Sequence, residues 1–252
     1  MFGSLQQTIE YRHKRLIEFA TAHPDVWELI ESFVISARAM IMECASYLDN
    51  PIRYTTAHMM WHNVYEYQED SLFLLILGRI DAGYALLRMA AELSRDASRV
   101  WKDDAKHDMW QKRDEIRREG YYKDVFRFND EDATERYVHG IYTLASNYGI
   151  HGHQSSQMSM SSRDRTADGQ YVIMQMNDLD VLSSLKVWLF SFFPLQTLAS
   201  RGFQDRLGQD KSPAYQAFLE IQVASGDALS AFTSAVKRLR DGVTNNGLEP
   251  IQ

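Results

Sequence analysis

The chain has 252 residues, of which 45% are hydrophobic and 12% aromatic, enough apolar material for a large core and too much for global disorder. Its net charge of −7 argues against a generally basic, phosphate-neutralising surface. Its single cysteine, Cys44, excludes an intramolecular disulfide and metal sites built from several thiolates.

Only 5 Pro and 13 Gly punctuate the chain, which is sparse for the many turns of an all-β protein. The pattern predicts an all-α bundle of six to seven helices, one of them long, with at most one small β-hairpin. The first helix covers residues 5–21. Pro24 then stands at a first helical position with Asp25 in the first turn. Val26, Trp27, Ile30, Phe33, Val34, Ala37, Ile41 and Cys44 recur from there at helical spacing, and Asp49-Asn50-Pro51 ends the run. Cys44 therefore reads as a buried, inert thiol. A third helix is predicted over 54–67 and a long fourth over 69–101, with Gly78 and Gly83 inside it. A glycine there costs helix propensity, and close approach of a neighbouring helix is the reason to keep it.

Between 95 and 136 eleven basic and twelve acidic residues alternate in sign, which predicts a solvated helical arm over 104–118 rather than a binding run. A further helix is expected over 132–148, then a Gly/Ser/Asp/Gln-rich loop over 149–170 and a short strand candidate at 171–176. Asn177 should cap the next helix, whose stretch 187–195 holds eight apolar residues out of nine. That stretch belongs in the core or in a two-fold interface, and Pro194 should kink or end it. Ser212-Pro213 opens the last helix, and 241–252 reads as a frayed tail. With no repeat or linker, 1–240 forms a single domain.

The start of the chain lacks a basic segment followed by an apolar one, as a secretory signal would need, and the apolar runs 72–77 and 187–195 are too short to span a bilayer. The expectation is a cytoplasmic protein that does not engage a membrane. No cofactor and no metal are expected. A homodimer is, because two such apolar runs exceed what one bundle centre needs.

Four constellations can carry chemistry. Arg88 and Glu92 are four apart on one helix face among leucines and alanines, so the charges sit partly inside the bundle. The run Tyr142-Thr-Leu-Ala-Ser146-Asn-Tyr148-Gly-Ile-His151-Gly-His153 places two histidines beyond a helix C-terminus, where a protonated imidazole is favoured. His58, His62, Glu66 and Asp70 recur every fourth residue, a spacing that can chelate a metal but reads first as a polar helix face. Arg53-Tyr-Thr-Thr-Ala-His58 has an Arg-x4-His spacing.

The helix 85–92 followed by 142–151 resembles an uncharacterised family of helical bacterial proteins with an Arg-x-x-x-Glu helix and a later Tyr/Ser/His segment. The resemblance spans residues 55–155 and implies one polar pocket around Arg88, Glu92 and His151. Ala145 and Gly149 depart from the pattern. The Arg53–His58 spacing is similar, more weakly, to helical nucleases of the HEPN type, with Tyr54 where a polar residue is usual. That likeness implies a pair acting on a phosphodiester, with His58 in acid–base transfer and Arg53 stabilising charge.

The leading expectation is a polar pocket for an anionic or nucleotide-like ligand. Arg88, His153, Ser146 and Tyr148 would bind it, with His151 and Glu92 as the reactive groups should it be catalytic. The alternatives are an endoribonuclease acting on RNA through Arg53 and His58, and a non-catalytic dimeric interaction protein.

Overall fold

A computed structural model of the chain describes residues 4–46, 52–115, 126–149 and 178–246. Among these it has eight helices and no strand: α1 Leu5–Ala22, α2 Pro24–Ala45, α3 Ile52–Ile76, α4 Ile80–Val100, α5 Asp104–Gln111, α6 Ala133–Gly149, α7 Asp178–Lys211 and α8 Pro213–Asn246. The strand candidate at 171–176 and the cap at Asn177 lie outside the described residues.

Capping follows local chemistry. The Ser4 hydroxyl accepts from the Gln7 amide, and Pro24 supplies the fixed backbone angle at the first position of α2. Asp103 caps α5, and Asp132 accepts from the Glu135 amide at the start of α6. Ser212 accepts from the Tyr215 amide at the start of α8.

The expected third and fourth helices divide elsewhere: 52–76 is one helix with no break near 68, and the run expected over 69–101 is interrupted before α4 starts at Ile80. Gly78, at φ 74°, ends α3 in the left-handed region that other residues avoid. Its amide donates to the Leu75 carbonyl at 2.9 Å and the Arg79 amide to the Leu74 carbonyl at 2.8 Å, the paired bonds of a Schellman turn. α4 then folds back along α3. Gly83 is where the two touch: a Cβ there would lie 2.7 Å from Leu75, and the Ser71 hydroxyl donates to the Gly83 carbonyl. The amphipathic pattern is continuous through the turn, so only the backbone requirement at Gly78 marks it.

α7 is the central element. Trp188, Leu189, Phe192, Phe193 and Leu195 are buried, Val187 is half-buried, and Phe190 is 36% exposed. Pro194 lies inside α7 without ending it. The missing N–H deprives the carbonyl of Phe190, a residue bordering solvent. Burial of the large side chains on either side offsets a break of about 3 kcal/mol. Asp180–Gln204 is long and apolar enough to cross a membrane by composition, and 67% of its apolar window is buried inside the bundle.

An amide network crosses this apolar centre. The Trp61 indole N–H donates to Gln196 Oε1 at 2.7 Å, Gln196 Nε2 donates to Gln68 Oε1 at 2.6 Å, and the Trp188 indole donates to the Gln68 carbonyl at 2.7 Å. Both glutamines are fully buried, so these bonds fix the register of α3 against α7. Phe33, Phe193 and Phe218 join α2, α7 and α8 through edge contacts. Cys44 is fully buried, and desolvation, followed by the charge of Glu43, pushes its pKa up to about 12.

Of the solvated arm expected over 104–118, α5 forms Asp104–Gln111, and Asp104, Asp108, Lys112, Arg113, Asp114 and Glu115 are exposed. The charges on either side of it differ: Arg95, Asp96 and Glu135 are buried. Sign alternation is equally the pattern of ion pairs turned inward. α8 continues to Asn246, past the expected start of the tail at 241.

Two glycines give opposite expectations for one substitution. A Cβ on Gly202 would sit 1.8 Å from the Trp101 ring, whereas one on Gly140 would meet nothing within 4 Å. Gly202→Ala should destabilise the protein by about 1–3 kcal/mol through overpacking. Gly140→Ala should stabilise it by about 0.5–1 kcal/mol through helix propensity. Urea unfolding midpoints check both; equal effects at the two sites would contradict this packing.

Candidate functional site

The charged side chains of α4 form a stripe facing α6 and α7. Arg88 Nη2 lies 3.0 Å from Glu92 Oε1 and donates to the Tyr142 hydroxyl at 3.4 Å, with its guanidinium 5.2 Å from the Tyr142 ring centroid. One to two turns on, Arg95 bonds Asp96 through both Nε and Nη2 and rests 4.9 Å from the Phe128 ring centroid. Arg99 then meets Glu135 at 2.6 Å.

Glu135 is 4% exposed and gathers several elements. Its Oε2 accepts from Arg99 and from the Asn129 amide, and its Oε1 lies 3.7 Å from Arg201 on α7. Arg201 also pairs with Asp132 at 2.9 Å, and Arg99 donates to the Arg127 carbonyl at 2.7 Å. The hydrogen bond from Arg201, opposed by some desolvation and helped by the Glu135 amide, holds the Asp132 carboxyl below the usual range. Together these bonds fix the segment 126–132 and the start of α6.

On that support stands a part of the molecule that spacing did not single out. The His139 Nδ1–H donates to Asp130 Oδ1 at 2.9 Å, and the imidazole stacks on Phe128 at 5.0 Å and 11°. Tyr142 packs 6.3 Å from His139. The Arg88–Glu92 pair thus stands behind Tyr142, and Tyr142 backs the histidine. His139 Nε2 has no partner among the described residues.

Two cavities flank α6. One, of about 530 Å³, lies between α6 and α7 and is walled by Tyr137, Ile141 and Leu144 with Val187 and Phe190; Arg136 and Lys186 also line it. The other, of about 510 Å³, is lined by Asp130, His139, Thr143, Asn147 and Tyr148. Arg136, Gly140 and Leu144 border both, so the two meet across the outward face of α6. Each has the volume of a small-molecule site. The signal missed in the sequence is the i, i+3, i+4 set of Arg136, His139 and Gly140 on the face turned away from the core.

Other expected site residues fall as follows. Ser146 donates to the Tyr142 carbonyl at 2.7 Å, so its hydroxyl serves its own helix. Tyr148 lines the cavity beside His139 and stacks on Tyr84 at 5.2 Å. Burial first, with a small opposing bond from Ser184, pushes the Tyr84 phenol up to about 12. His151 and His153 lie outside the described residues, and with them the expected convergence of His151 on Arg88 and Glu92; Arg88 and Glu92 pair with each other along α4.

Arg53 is bonded to Asp104 and Tyr54, and His58 Nε2 to the Ile41 carbonyl at 2.9 Å. Desolvation lowers the His58 pKa, which favours a neutral ring donating to that carbonyl. His62 faces Glu66 at 3.6 Å. Among the described residues no three His, Cys, Asp or Glu side chains lie close enough to hold a metal ion.

Comparison with protein-family models, with curated proteins and with solved structures returns no match.

Glu135→Gln should destabilise the protein by about 3 kcal/mol, near the lower end for breaking a buried pair because Arg99 and Arg201 keep some solvent. Glu92→Gln, on a more exposed pair, should cost about 1 kcal/mol. Chemical denaturation of the two variants side by side checks this. A larger loss at Glu92 would remove Glu135 from its central position.

Proposed function

We propose that the protein binds a small anionic ligand on the outward face of α6. The carrying observation is the partition of its cations. Arg88, Arg95, Arg99 and Arg201 each face a carboxylate: Glu92, Asp96, Glu135 and Asp132. Arg136 lines both cavities and has no carboxylate partner among the described residues; its one hydrogen bond there is to the Asp130 carbonyl at 3.3 Å. A guanidinium at the mouth of a concave site presents paired N–H donors to a carboxylate or phosphate. In a chain of net charge −7, Arg136 and Lys186 line the groove with one carboxylate, Asp130, which is paired to His139.

A second reading puts the anion at Arg88, as the sequence resemblance implies. One observation favours it: Arg88 Nε is buried without a hydrogen-bond partner. Against it, Glu92 already neutralises Arg88, and Arg88 lines neither of the two cavities. An RNA-cleaving reaction through Arg53 and His58 would require both side chains to leave Asp104 and the Ile41 carbonyl. A second copy reaching the run 187–195 would meet Phe190.

Phenyl phosphate tests the site. Titration followed by amide NMR should show saturable binding to the wild type. Arg136→Gln should weaken it by about tenfold or more, as expected for loss of a charge-assisted hydrogen bond. Arg88→Gln should change it by less. The reverse order would move the anion to α4, and no saturable binding would refute the proposal.

A further inference from the structure

Both cavities are largely apolar in surface, but the side chains that line them differ, and that difference restricts the ligand. The one between α6 and α7 is walled by Tyr137, Ile141, Leu144, Val187 and Phe190, and two of these rings are open to solvent: Tyr137 at 47% and Phe190 at 36%. Surface aromatic rings walling a concavity lose water on contact with an apolar body. The other cavity holds the Asp130–His139 pair, Thr143 and Asn147. Arg136 and Gly140 border both cavities, and a Cβ on Gly140 would meet no neighbouring atom within 4 Å. A bulky side chain at 140 would project over the boundary between the halves.

We infer that the groove takes an amphipathic oxyanion, with an aryl or short acyl body between α6 and α7 and its anionic head between Arg136 and His139, and that Gly140 keeps the passage open. The inference rests on the anion-binding function proposed for this face and adds the class of ligand and the residue that selects it. Lys186 supplies a second positive charge at the rim of the cavity between α6 and α7. Asp130 engages His139 Nδ1, which leaves Nε2 as the ring nitrogen available to the head. A body alone leaves Arg136 without its anion, and a head alone leaves the aromatic wall wet.

Four titrations of the full chain separate the parts: 1-naphthyl phosphate, inorganic phosphate, 1-naphthol, and 1-naphthyl phosphate against Gly140→Leu. Calorimetry should show the ester binding at least about tenfold tighter than inorganic phosphate, the gain from covering an aryl face. It should also bind tighter than 1-naphthol. Gly140→Leu should weaken the ester by about tenfold or more, to the affinity of inorganic phosphate or below. Gly226→Leu, at another open helical glycine on α8, should have no effect on either; with the helical CD signal of both variants, it keeps the result free of folding loss.

Equal affinity for ester and inorganic phosphate, both lost in Arg136→Gln, overturns the amphipathic class and leaves the anion site standing. Equal affinity for ester and naphthol overturns the need for a head. Indifference of the ester to Gly140→Leu overturns the passage. Binding of neither phosphate fails the anion-binding function itself.

Discussion

Glu135 is the carboxylate on which the site depends. It comes from the first turn of α6, is 4% exposed, and holds Arg99 of α4, Arg201 of α7 and the amide of Asn129. A buried carboxylate between two guanidiniums is tolerable only when its lone pairs are occupied, and here backbone and side-chain donors both occupy them. Because its partners come from different elements, it sets how far α6 stands from α4 and α7 and where the segment carrying Phe128 and Asp130 runs. The Asp130–His139 bond, the Phe128 stack and the cavity mouths follow from that placement.

The same pairing decides which cations are available. α4 carries Arg88, Arg95 and Arg99 along its inward stripe, and each is matched to a carboxylate in the structure. These arginines position things: Arg88 braces Tyr142, Arg95 backs Phe128 and Arg99 anchors α6. Matched charges contribute little field at a distance, so under the proposed function the recognition of an anion would fall to Arg136 on the opposite face of α6, which has no carboxylate partner among the described residues. The inward face of α6 carries the ion pairs that position it, and the outward face borders the two cavities.

Much of the fold was legible. Apolar periodicity located α1, α2, α6 and α8, and Pro24 and Ser212-Pro213 marked starts; the run 187–195 reads equally as core or as two-fold interface, and most of it is buried within the chain. The break at Gly78 was not, because both helices bury the same kind of residue through it and only the sign of φ distinguishes a turn from a helical glycine. The inward charges at 95, 96 and 135 were not legible for a related reason. Composition does not separate an alternation that faces water from one that pairs across helices; Glu135 lies 36 positions from Arg99 and 66 from Arg201 in sequence. At the site, the Arg88–Glu92 pair was legible from its spacing on one helix. Its partner Tyr142 belonged to a segment noticed for its histidines, and Asp130–His139 crosses from a loop to a helix at a spacing no periodic pattern marks.

The most direct measurement is a structure of the protein with 1-naphthyl phosphate bound. The account predicts the phosphate against the Arg136 guanidinium within hydrogen-bond distance, the naphthyl ring between Tyr137 and Phe190, and the Arg88–Glu92 and Glu135 pairs unchanged. A phosphate seated on Arg88 with Glu92 displaced, or a ligand making no contact with α6, would contradict it.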